Sequence, residues 1–302
     1  MNHSKSKLLK AIGPRICLLF VFLFAIAVSG ASAEDILKTA TNRLCVMTYN
    51  LRYASPTGAN SWPQRRPLMR ECIQNVSPDL IGTQEGLYQQ LRELSSDLPE
   101  YDWIGLGREG GSRGEFMAVF YRKSRFEPLA FDHFWLSDTP DVIGSASWGN
   151  TSRRMVTWIH FLDRQTKQEF YFFNTHFDNA VQMSREKSAQ LVRKRVADLN
   201  TSLPLLLVGD FNSAAGNNKA YEILVGDKFF ADTWNLAKER RGEGLGTFNN
   251  FKAVPKNNER IDWILFRGDK ISVDAEEIVT FSRDGKFPSD HLPVAAWLRF
   301  GD

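Results

Sequence analysis

The chain has 302 residues, of which 43% are hydrophobic, and its 38 basic and 35 acidic side chains give a formal net charge of +3. This hydrophobic fraction excludes an intrinsically disordered chain and is sufficient for a sizeable core. Four basic residues and no acidic ones precede residue 34, so the rest of the chain is almost neutral. A nearly neutral chain has no global electrostatic attraction to nucleic acid, although it is still able to carry a local basic patch.

Residues 1–33 have the three parts of a secretory signal peptide. A basic leader ends at Arg15, an unbroken hydrophobic run extends from Ile16 to Val28, and Ala31-Ser32-Ala33 forms a small-residue cleavage site. The run is shorter than the roughly 20 residues that a membrane-spanning helix needs. We therefore expect a secreted or periplasmic protein with no stable membrane association after cleavage. Residues 34–302 contain no linker or low-complexity tract and are expected to form one domain, most simply a monomer.

Two cysteines, Cys45 and Cys72, remain after the leader. An exported pair is able to form a disulfide. Cys45 lies in a strand-like run and Cys72 in a helix-like one, where small buried thiols are equally plausible. The sequence leaves both possibilities open.

Strands and helices are mixed along the chain, which predicts α/β layers. The all-hydrophobic run Leu205–Val208 is typical of a strand that is covered on both faces. Polar clusters follow several of the predicted strands, at the positions where loops on a rigid scaffold usually carry function. In chain order, we predict strands at 44–51, 80–85, 117–121, 129–134, 155–161, 169–174, 205–208, 261–266, 271–281 in part and 294–300, and helices at 65–76, 87–98, 184–199 and 221–224.

The polar clusters contain the side chains that hydrolysis of a phosphate ester requires. That reaction needs a hard cation, a polarised water and donors for the phosphoryl oxygens. Carboxylate and amide oxygens suit Mg²⁺, and histidines transfer protons near neutral pH. Taken singly, Asn50, Asp210 and Asn212 are better interpreted as turn formers, but their joint occurrence with the other clusters favours an active site. The clusters are Tyr49-Asn50, Gln84-Glu85, Asn174-Thr175-His176, Gly209-Asp210-Phe211-Asn212, Arg260-Ile261-Asp262 and Ser289-Asp290-His291.

The order of these segments resembles the endonuclease/exonuclease/phosphatase superfamily, which includes pancreatic-type deoxyribonuclease, over about residues 44–300. The resemblance implies a four-layer α/β sandwich in which two packed, mostly antiparallel β-sheets are flanked by helices. It also implies a catalytic domain over residues 34–302 that binds Mg²⁺, with Mn²⁺ as a possible substitute. The implied substrate is a phosphoester, either nucleic acid or a small phosphorylated compound.

The same resemblance implies catalytic roles. His291 would be the general base on the attacking water or a stabiliser of phosphate charge, and Asp262 would hold its imidazole. Asp210 would orient or deprotonate the water. His176 would stabilise the transferring charge or protonate the leaving oxygen, with Glu115 as its acidic partner.

Metal-binding and phosphate-binding roles are implied for the remaining residues. Glu85 resembles the main Mg²⁺ ligand, Asn50 its neighbour in the metal and phosphate site, and Asp290 an assisting ligand. Asn212 and Arg154 would bind phosphoryl oxygens. Glu115 and Arg154 are equally well interpreted as a solvated ion pair.

Two further segments resemble a secreted bacterial branch of the superfamily: Ser61-Trp62-Pro63-Gln64-Arg65-Arg66 and Gly246-Thr247-Phe248. Trp62 would stack on a base or sugar of the substrate, or else pack the start of a helix. Arg65 or Arg66 would meet a second phosphate.

Three functions follow in order of preference. The first is a secreted, Mg²⁺-dependent phosphodiesterase or nuclease, either a 3′–5′ exonuclease or an endonuclease. The second is a phosphomonoesterase on a small phosphorylated sugar, inositol or lipid headgroup, toward which the near-neutral charge leans mildly. The third is a catalytically dead binding module, against which the intact set of carboxylates and histidines argues. A closed pit around His176 and His291 would suit a monoester, and an open groove would suit a polymer.

Overall fold

Two mixed β-sheets pack face to face, and helices cover their outer surfaces. The computed structural model describes residues 42–301, so the predicted signal peptide lies outside the described residues. The helices are α1 (Trp62–Val76), α2 (Tyr88–Asp97), α3 (Gln182–Asp198), α4 (Lys219–Val225) and α5 (Thr233–Leu236). The strands are β1 (Arg43–Asn50), β2 (Leu80–Gln84), β3 (Tyr101–Ile104), β4 (Val119–Arg122), β5 (Phe126–Trp135), β6 (Met155–Asp163), β7 (Glu169–His176), β8 (Leu205–Asp210), β9 (Ala231–Asp232), β10 (Glu239–Arg241), β11 (Asp262–Arg267), β12 (Ile271–Ile278) and β13 (Val294–Phe300).

The first sheet has the strand order β10-β12-β13-β1-β2-β4-β3, and the second has the order β5-β6-β7-β8-β11-β9. Neighbouring strands are parallel in the pairs β1–β2, β10–β12 and β7–β8, and antiparallel in the other pairs. This topology confirms the predicted sandwich of two mostly antiparallel sheets flanked by helices.

Strand β1 shows why the first sheet is hydrophobic on both faces. Leu44 and Val46 pack into the core between the two sheets. Met47 and Tyr49 point the other way and pack against helix residues such as Met69 of α1. Because successive side chains of a strand alternate between faces, a strand covered on both sides reads as one hydrophobic run.

Strand β8 repeats this arrangement in the second sheet. Leu206 and Val208 face the first sheet, whereas Leu205 and Leu207 pack with Val192 of α3. The run Leu205–Val208 therefore contributes to two cores, as its uniform hydrophobicity predicts.

Some elements differ from the sequence-based expectation. Helix α1 begins at Trp62 rather than at residue 65, because Pro63 is favourable in a first helical turn. Strands β3, β9 and β10 and helix α5 were not predicted, since each has only two to four residues and shows no clear periodicity. Cys45 and Cys72 are both buried free thiols. Between residues 42 and 301, no helix has the length and hydrophobicity needed to cross a membrane.

Candidate active site

The first sheet contributes two polar residues to one edge. Asn50 is the last residue of β1 and lies in register with Gln84, the last residue of the parallel strand β2. Glu85 follows with a φ of 62°, a left-handed conformation that non-glycine residues rarely adopt. The parallel pairing therefore brings Asn50 and Glu85 side by side.

The second sheet contributes three residues to the same region. His176 ends β7 in register with Asp210, which ends the parallel strand β8. Asp262 opens the antiparallel strand β11 directly opposite Asp210. The ends of the parallel strands β7 and β8 and the start of the antiparallel strand β11 thus meet at one position.

Asn50 joins the two sheets at this edge. Its Nδ2 donates to Oε1 of Glu85 at 3.0 Å and to Oδ2 of Asp210 at 2.9 Å. The side chain is completely buried. An amide that donates to two carboxylates reduces their repulsion and holds them close together.

His291 is held between two carboxylates. Its Nδ1 lies 3.0 Å from Oδ2 of Asp262, and its Nε2 lies 3.7 Å from Oδ2 of Asp210. Burial opposes a charge on the imidazole, but Asp262 and Asp210 outweigh it and raise the pKa of His291. Burial and the Asp262 carboxylate likewise raise the pKa of Asp210.

The segment that carries Asp290 and His291 is anchored to β1. The Ser289 hydroxyl donates to the main-chain carbonyl of Asn50 at 2.6 Å and accepts from the main-chain N–H of His291 at 3.3 Å. This connection places the last polar cluster of the sequence beside the first one.

His176 lies on the other side of Asp210. Its Nε2 is 3.0 Å from Nδ2 of Asn212 and 3.3 Å from Oδ2 of Asp210. Burial, with a smaller contribution from the nearby Arg154, lowers the pKa of His176 well below its usual range. A neutral imidazole donates a hydrogen bond rather than a proton, which favours the charge-stabilising one of its two predicted roles.

Arg52 connects two further carboxylates at this site. Its Nη1 lies 3.7 Å from Oε2 of Glu85, and its Nε lies 3.6 Å from Oδ2 of Asp290. Burial and the neighbouring Glu85 raise the pKa of Asp290, while His291 and Arg52 oppose that shift. The carboxylates of Glu85 and Asp290 repel each other and share one cation, so a divalent ion between them would reduce their repulsion.

Arg154 has free donors beside the histidines. It is 4% exposed, its Nη2 donates to Oδ1 of Asn179 at 3.2 Å, and its Nε and Nη1 have no hydrogen-bond partner among residues 42–301. A buried guanidinium with unpaired donors favours a bound anion, since such groups are costly to leave unsatisfied.

Glu115 lies at the site but not with its predicted partner. Its carboxylate accepts a hydrogen bond from Arg108. Nδ1 of His176 is buried and has no partner in the described part of the chain. The expected pairing of Glu115 with His176 is therefore absent from the structure, because the nearby Arg108 guanidinium binds the carboxylate instead.

Trp62 lies outside the site. It is 4% exposed, belongs to the core beneath α1, and its indole N–H donates to Oε2 of Glu93 at 2.6 Å. The predicted substrate stacking is thus not supported, and the alternative of packing a helix start describes the residue.

Arg65 is also structural rather than substrate-binding. It is 2% exposed and donates to the main-chain carbonyls of five residues, which occupies its guanidinium. These carbonyls belong to Leu51, Arg52, Tyr53, Asn60 and Pro288. Arg66 forms an ion pair with Asp97, so neither arginine is placed to meet a second phosphate.

A cavity of about 440 Å³ opens over these groups. Eight predicted residues line it: Glu85, Glu115, Arg154, His176, Asp210, Asn212, Asp290 and His291. Asn50 and Asp262 do not line the cavity but form hydrogen bonds to residues that do: Asn50 to Glu85 and Asp210, and Asp262 to His291. The sequence analysis assigned no role to eight other lining residues: Arg52, Tyr53, Arg108, Ser152, Asn179, Phe248, Asn250 and Ile261. The available signal was position in the sequence, because Phe248 and Ile261 lie within recognised segments and Arg52 closely follows Tyr49-Asn50.

The donor set fits a divalent cation. Ligand atoms of Asp210, Asp262 and His291 all lie within 4.8 Å of one another. Oδ1 of Asp262 is buried and has no hydrogen-bond partner within residues 42–301. A carboxylate-rich cluster with an unsatisfied oxygen is chemically suited to a metal ion.

Comparison with known proteins places this geometry in a family. The chain is 34% identical to an endonuclease/exonuclease/phosphatase family protein of Bacteroides thetaiotaomicron, with a TM-score of 0.82, covering 86% of this chain and 98% of the other. A mannosyl-6-phosphatase of the same organism is 35% identical, with a TM-score of 0.79 and coverages of 85% and 100%.

Among curated sequences, the 3′–5′ exoribonuclease subunit of the Saccharomyces cerevisiae CCR4-Not complex is 23% identical over 89% of this chain and 40% of its own length. An uncharacterised protein of Acanthamoeba polyphaga mimivirus is 30% identical over 50% of this chain and 59% of its own length. The chain thus spans about half the length of these curated relatives. Residues 47–291, which include the described site, match the Endonuclease/Exonuclease/phosphatase family. The chain therefore belongs to the Endonuclease/Exonuclease/phosphatase family.

Proposed function

We propose that this chain is a phosphomonoesterase that uses a divalent metal ion and acts on a small phosphorylated sugar. The observation that carries the proposal is a cavity of about 440 Å³ in which Arg154 offers unpaired guanidinium donors, whereas the two other lining arginines, Arg52 and Arg108, are paired with carboxylates. This volume lies in the range of small-molecule sites. A monoester phosphate carries nearly two negative charges at neutral pH, so it needs more cationic donors than a singly charged diester.

The similarity to the mannosyl-6-phosphatase supports a phosphorylated sugar as the substrate, because this chain covers all of that protein at 35% identity. A phosphodiesterase or nuclease is the second candidate. The similarity to the exoribonuclease subunit favours it, at a lower identity of 23%. Secretion through the leader, a single catalytic domain and a monomeric state complete the proposal.

The metal assignment rests on ligand chemistry. Glu85, Asn50 and Asp290 offer oxygen ligands only, which Mg²⁺ prefers. The alternative set of Asp210, Asp262 and His291 includes an imidazole whose two nitrogens already face carboxylates. We therefore assign Mg²⁺ to the first set, with Mn²⁺ as a substitute. When bound, the ion neutralises charge on the phosphoryl oxygens and polarises water.

The side chains divide the remaining work. His291 accepts the proton of the attacking water in its unprotonated form, whose population increases with pH because the carboxylates raise the pKa of His291. Asp262 holds the imidazole, and Asp210 orients the water. Asn212 and the free donors of Arg154 bind phosphoryl oxygens. His176, kept neutral by burial, donates a hydrogen bond to the developing charge.

Purified protein from residue 34 onward tests the proposal with Mg²⁺ and a panel of substrates. The panel holds mannose 6-phosphate, p-nitrophenyl phosphate, bis-p-nitrophenyl phosphate and oligonucleotides. We expect turnover of the two monoesters that disappears in His291→Ala. Turnover of diesters alone would replace the proposal with the second candidate.

Metal dependence is tested separately. Glu85→Gln should lower the apparent affinity for Mg²⁺, measured by titration of activity, without unfolding the protein. Glu222→Gln on the exposed face of α4 should leave that affinity unchanged. No turnover of any substrate with Mg²⁺ or Mn²⁺ by the folded protein would overturn both candidates and indicate a binding module.

A further inference from the structure

The segment Gly246-Thr247-Phe248 lies next to the active site, and Thr247 has no role in the reaction described above. Thr247 is completely buried and does not line the cavity. Its side-chain hydroxyl accepts hydrogen bonds from two successive main-chain N–H groups, those of Ile261 at 3.0 Å and Asp262 at 3.2 Å. One hydroxyl therefore fixes the backbone at the start of β11, where Asp262 begins.

The main chain of the same residue holds the other partner. The Thr247 carbonyl accepts from the N–H of Leu292 at 2.7 Å, and Phe248 forms an isolated antiparallel β-bridge with His291. The Phe248 ring lies edge-on to the imidazole, with ring centroids 5.1 Å apart. Thr247 and Phe248 thus bind the backbone of His291 and Leu292.

The next two residues extend this contact. The N–H groups of Asn249 and Asn250 donate to the carbonyl of Asp290 at 2.8 and 3.1 Å, and Nδ2 of Asn249 donates to the carbonyl of Ser289 at 3.3 Å. The segment from Thr247 to Asn250 therefore binds the stretch around Asp290 with its backbone and Asp262 with the Thr247 hydroxyl.

Asp262 and His291 depend on such a connection because they come from different sheets. Asp262 begins β11 of the second sheet, and His291 precedes β13 of the first. Their hydrogen bond of 3.0 Å thus requires the two sheet edges to keep a fixed spacing. Reaction geometry is sensitive to displacements of about 1 Å.

We propose that Thr247 is a positioning residue that sets the distance between Asp262 and His291. Its hydroxyl holds Asp262 and its carbonyl holds the segment after His291, so that the pair forms its bond across the sheets. The inference rests on the proposed hydrolase activity, in which this pair activates water.

The first test compares Thr247→Val, which keeps the shape and removes the hydroxyl, with Thr247→Ser, which keeps the hydroxyl. Thr233→Val is the matched control, because Thr233 is also fully buried and its hydroxyl donates to the Ile264 carbonyl of the same strand at 2.7 Å. We expect kcat on p-nitrophenyl phosphate to fall about 10- to 100-fold in Thr247→Val with little change in KM. Thr247→Ser should keep kcat near the wild-type value. Thr233→Val should lower the melting temperature without lowering kcat.

The second test asks whether Thr247 acts through Asp262. In an Asp262→Asn background, Thr247→Val should cause no further loss of kcat, since coupled residues are not additive. Additive losses, or equal kcat losses in Thr247→Val and Thr233→Val, would overturn the proposal.

A spectroscopic readout separates this inference from the proposed function. The proton on Nδ1 of His291 should give a protected NMR resonance in the wild-type protein and in Thr233→Val, and lose that protection in Thr247→Val. Wild-type protein without any esterase activity would refute the proposed function, while the resonance would still decide whether Thr247 sets the pair. An unchanged resonance in Thr247→Val would refute the positioning role.

Discussion

Nδ1 of His291 lies 3.0 Å from Oδ2 of Asp262, although the two residues are 29 positions apart in the chain. Both side chains are almost completely buried, so the bond is shielded from solvent. Because it involves an ionised carboxylate, it orients the imidazole more strongly than a neutral partner would. His291 then presents Nε2 toward Asp210 and the cavity.

Asp262→Asn tests this relationship directly. The amide keeps the size of the side chain but removes the charge that favours the imidazolium and fixes the tautomer. We expect kcat to fall about 100-fold or more with the fold retained. Steady-state kinetics with Mg²⁺, together with a melting curve, check the prediction. An unchanged kcat would show that Asp262 has no part in the reaction.

Arg52→Met tests the role of the cation between Glu85 and Asp290. Its removal leaves two carboxylates without their shared positive charge, so a divalent ion should bind more tightly, by about tenfold. Calorimetric titration with Mn²⁺ in the absence of substrate measures this affinity. Arg66→Met, remote from the cavity, is the control. Weaker Mn²⁺ binding in Arg52→Met would contradict the prediction.

Glu276 predicts a pH dependence of stability away from the metal site. It is completely buried in β12, and neither carboxylate oxygen has a hydrogen-bond partner among the described residues. Burial and the Asp232 carboxylate raise the pKa of Glu276 from 4.5 to about 8, against the opposing effect of Arg260. The folded state therefore keeps a proton that the unfolded state has released.

Because the folded state binds more protons than the unfolded state, the free energy of unfolding decreases as the pH rises. The stabilising contribution to the free energy of unfolding is complete below pH 4.5 and is lost as the pH rises through the raised pKa of about 8. Glu276→Gln should remove this decline, and the variant Glu277→Gln of the half-buried neighbour should retain it. Urea unfolding between pH 5 and 8.5 measures the effect. The same decline in Glu276→Gln and wild type would exclude Glu276 as its source.

Arg65→Met should destabilise the fold rather than weaken substrate binding. The guanidinium donates to five main-chain carbonyls, so its loss leaves several acceptors unsatisfied and should cost about 3 kcal/mol or more. Arg66→Met removes a partly exposed ion pair and should cost at most about 1 kcal/mol. Urea unfolding of the two variants compares them. A wild-type unfolding midpoint with a raised KM in Arg65→Met would restore the phosphate-binding interpretation.

Much of the fold was predictable because its signals are local. The hydrophobic runs within β1 and β8 indicate strands covered on both faces, and each strand ends in a polar residue of the site. The short strands β3, β9 and β10 were missed because two to four residues carry no periodicity, and neighbouring strands provide their hydrogen bonds.

The candidate site also has a part that was predictable from the sequence and a part that was not. Its carboxylates, amides and histidines could be named in order from Asn50 to His291, because each follows or opens a strand and the strand ends meet at one edge. The sequence by itself therefore determined which chemical groups this protein carries there, and the tertiary structure decided which of them touch. Arg52 is located between Glu85 and Asp290, Arg108 is paired with Glu115, and Arg65 is buried among carbonyls. An arginine side chain reaches several partners from one backbone position, so only the packing of the two sheets selects its contacts.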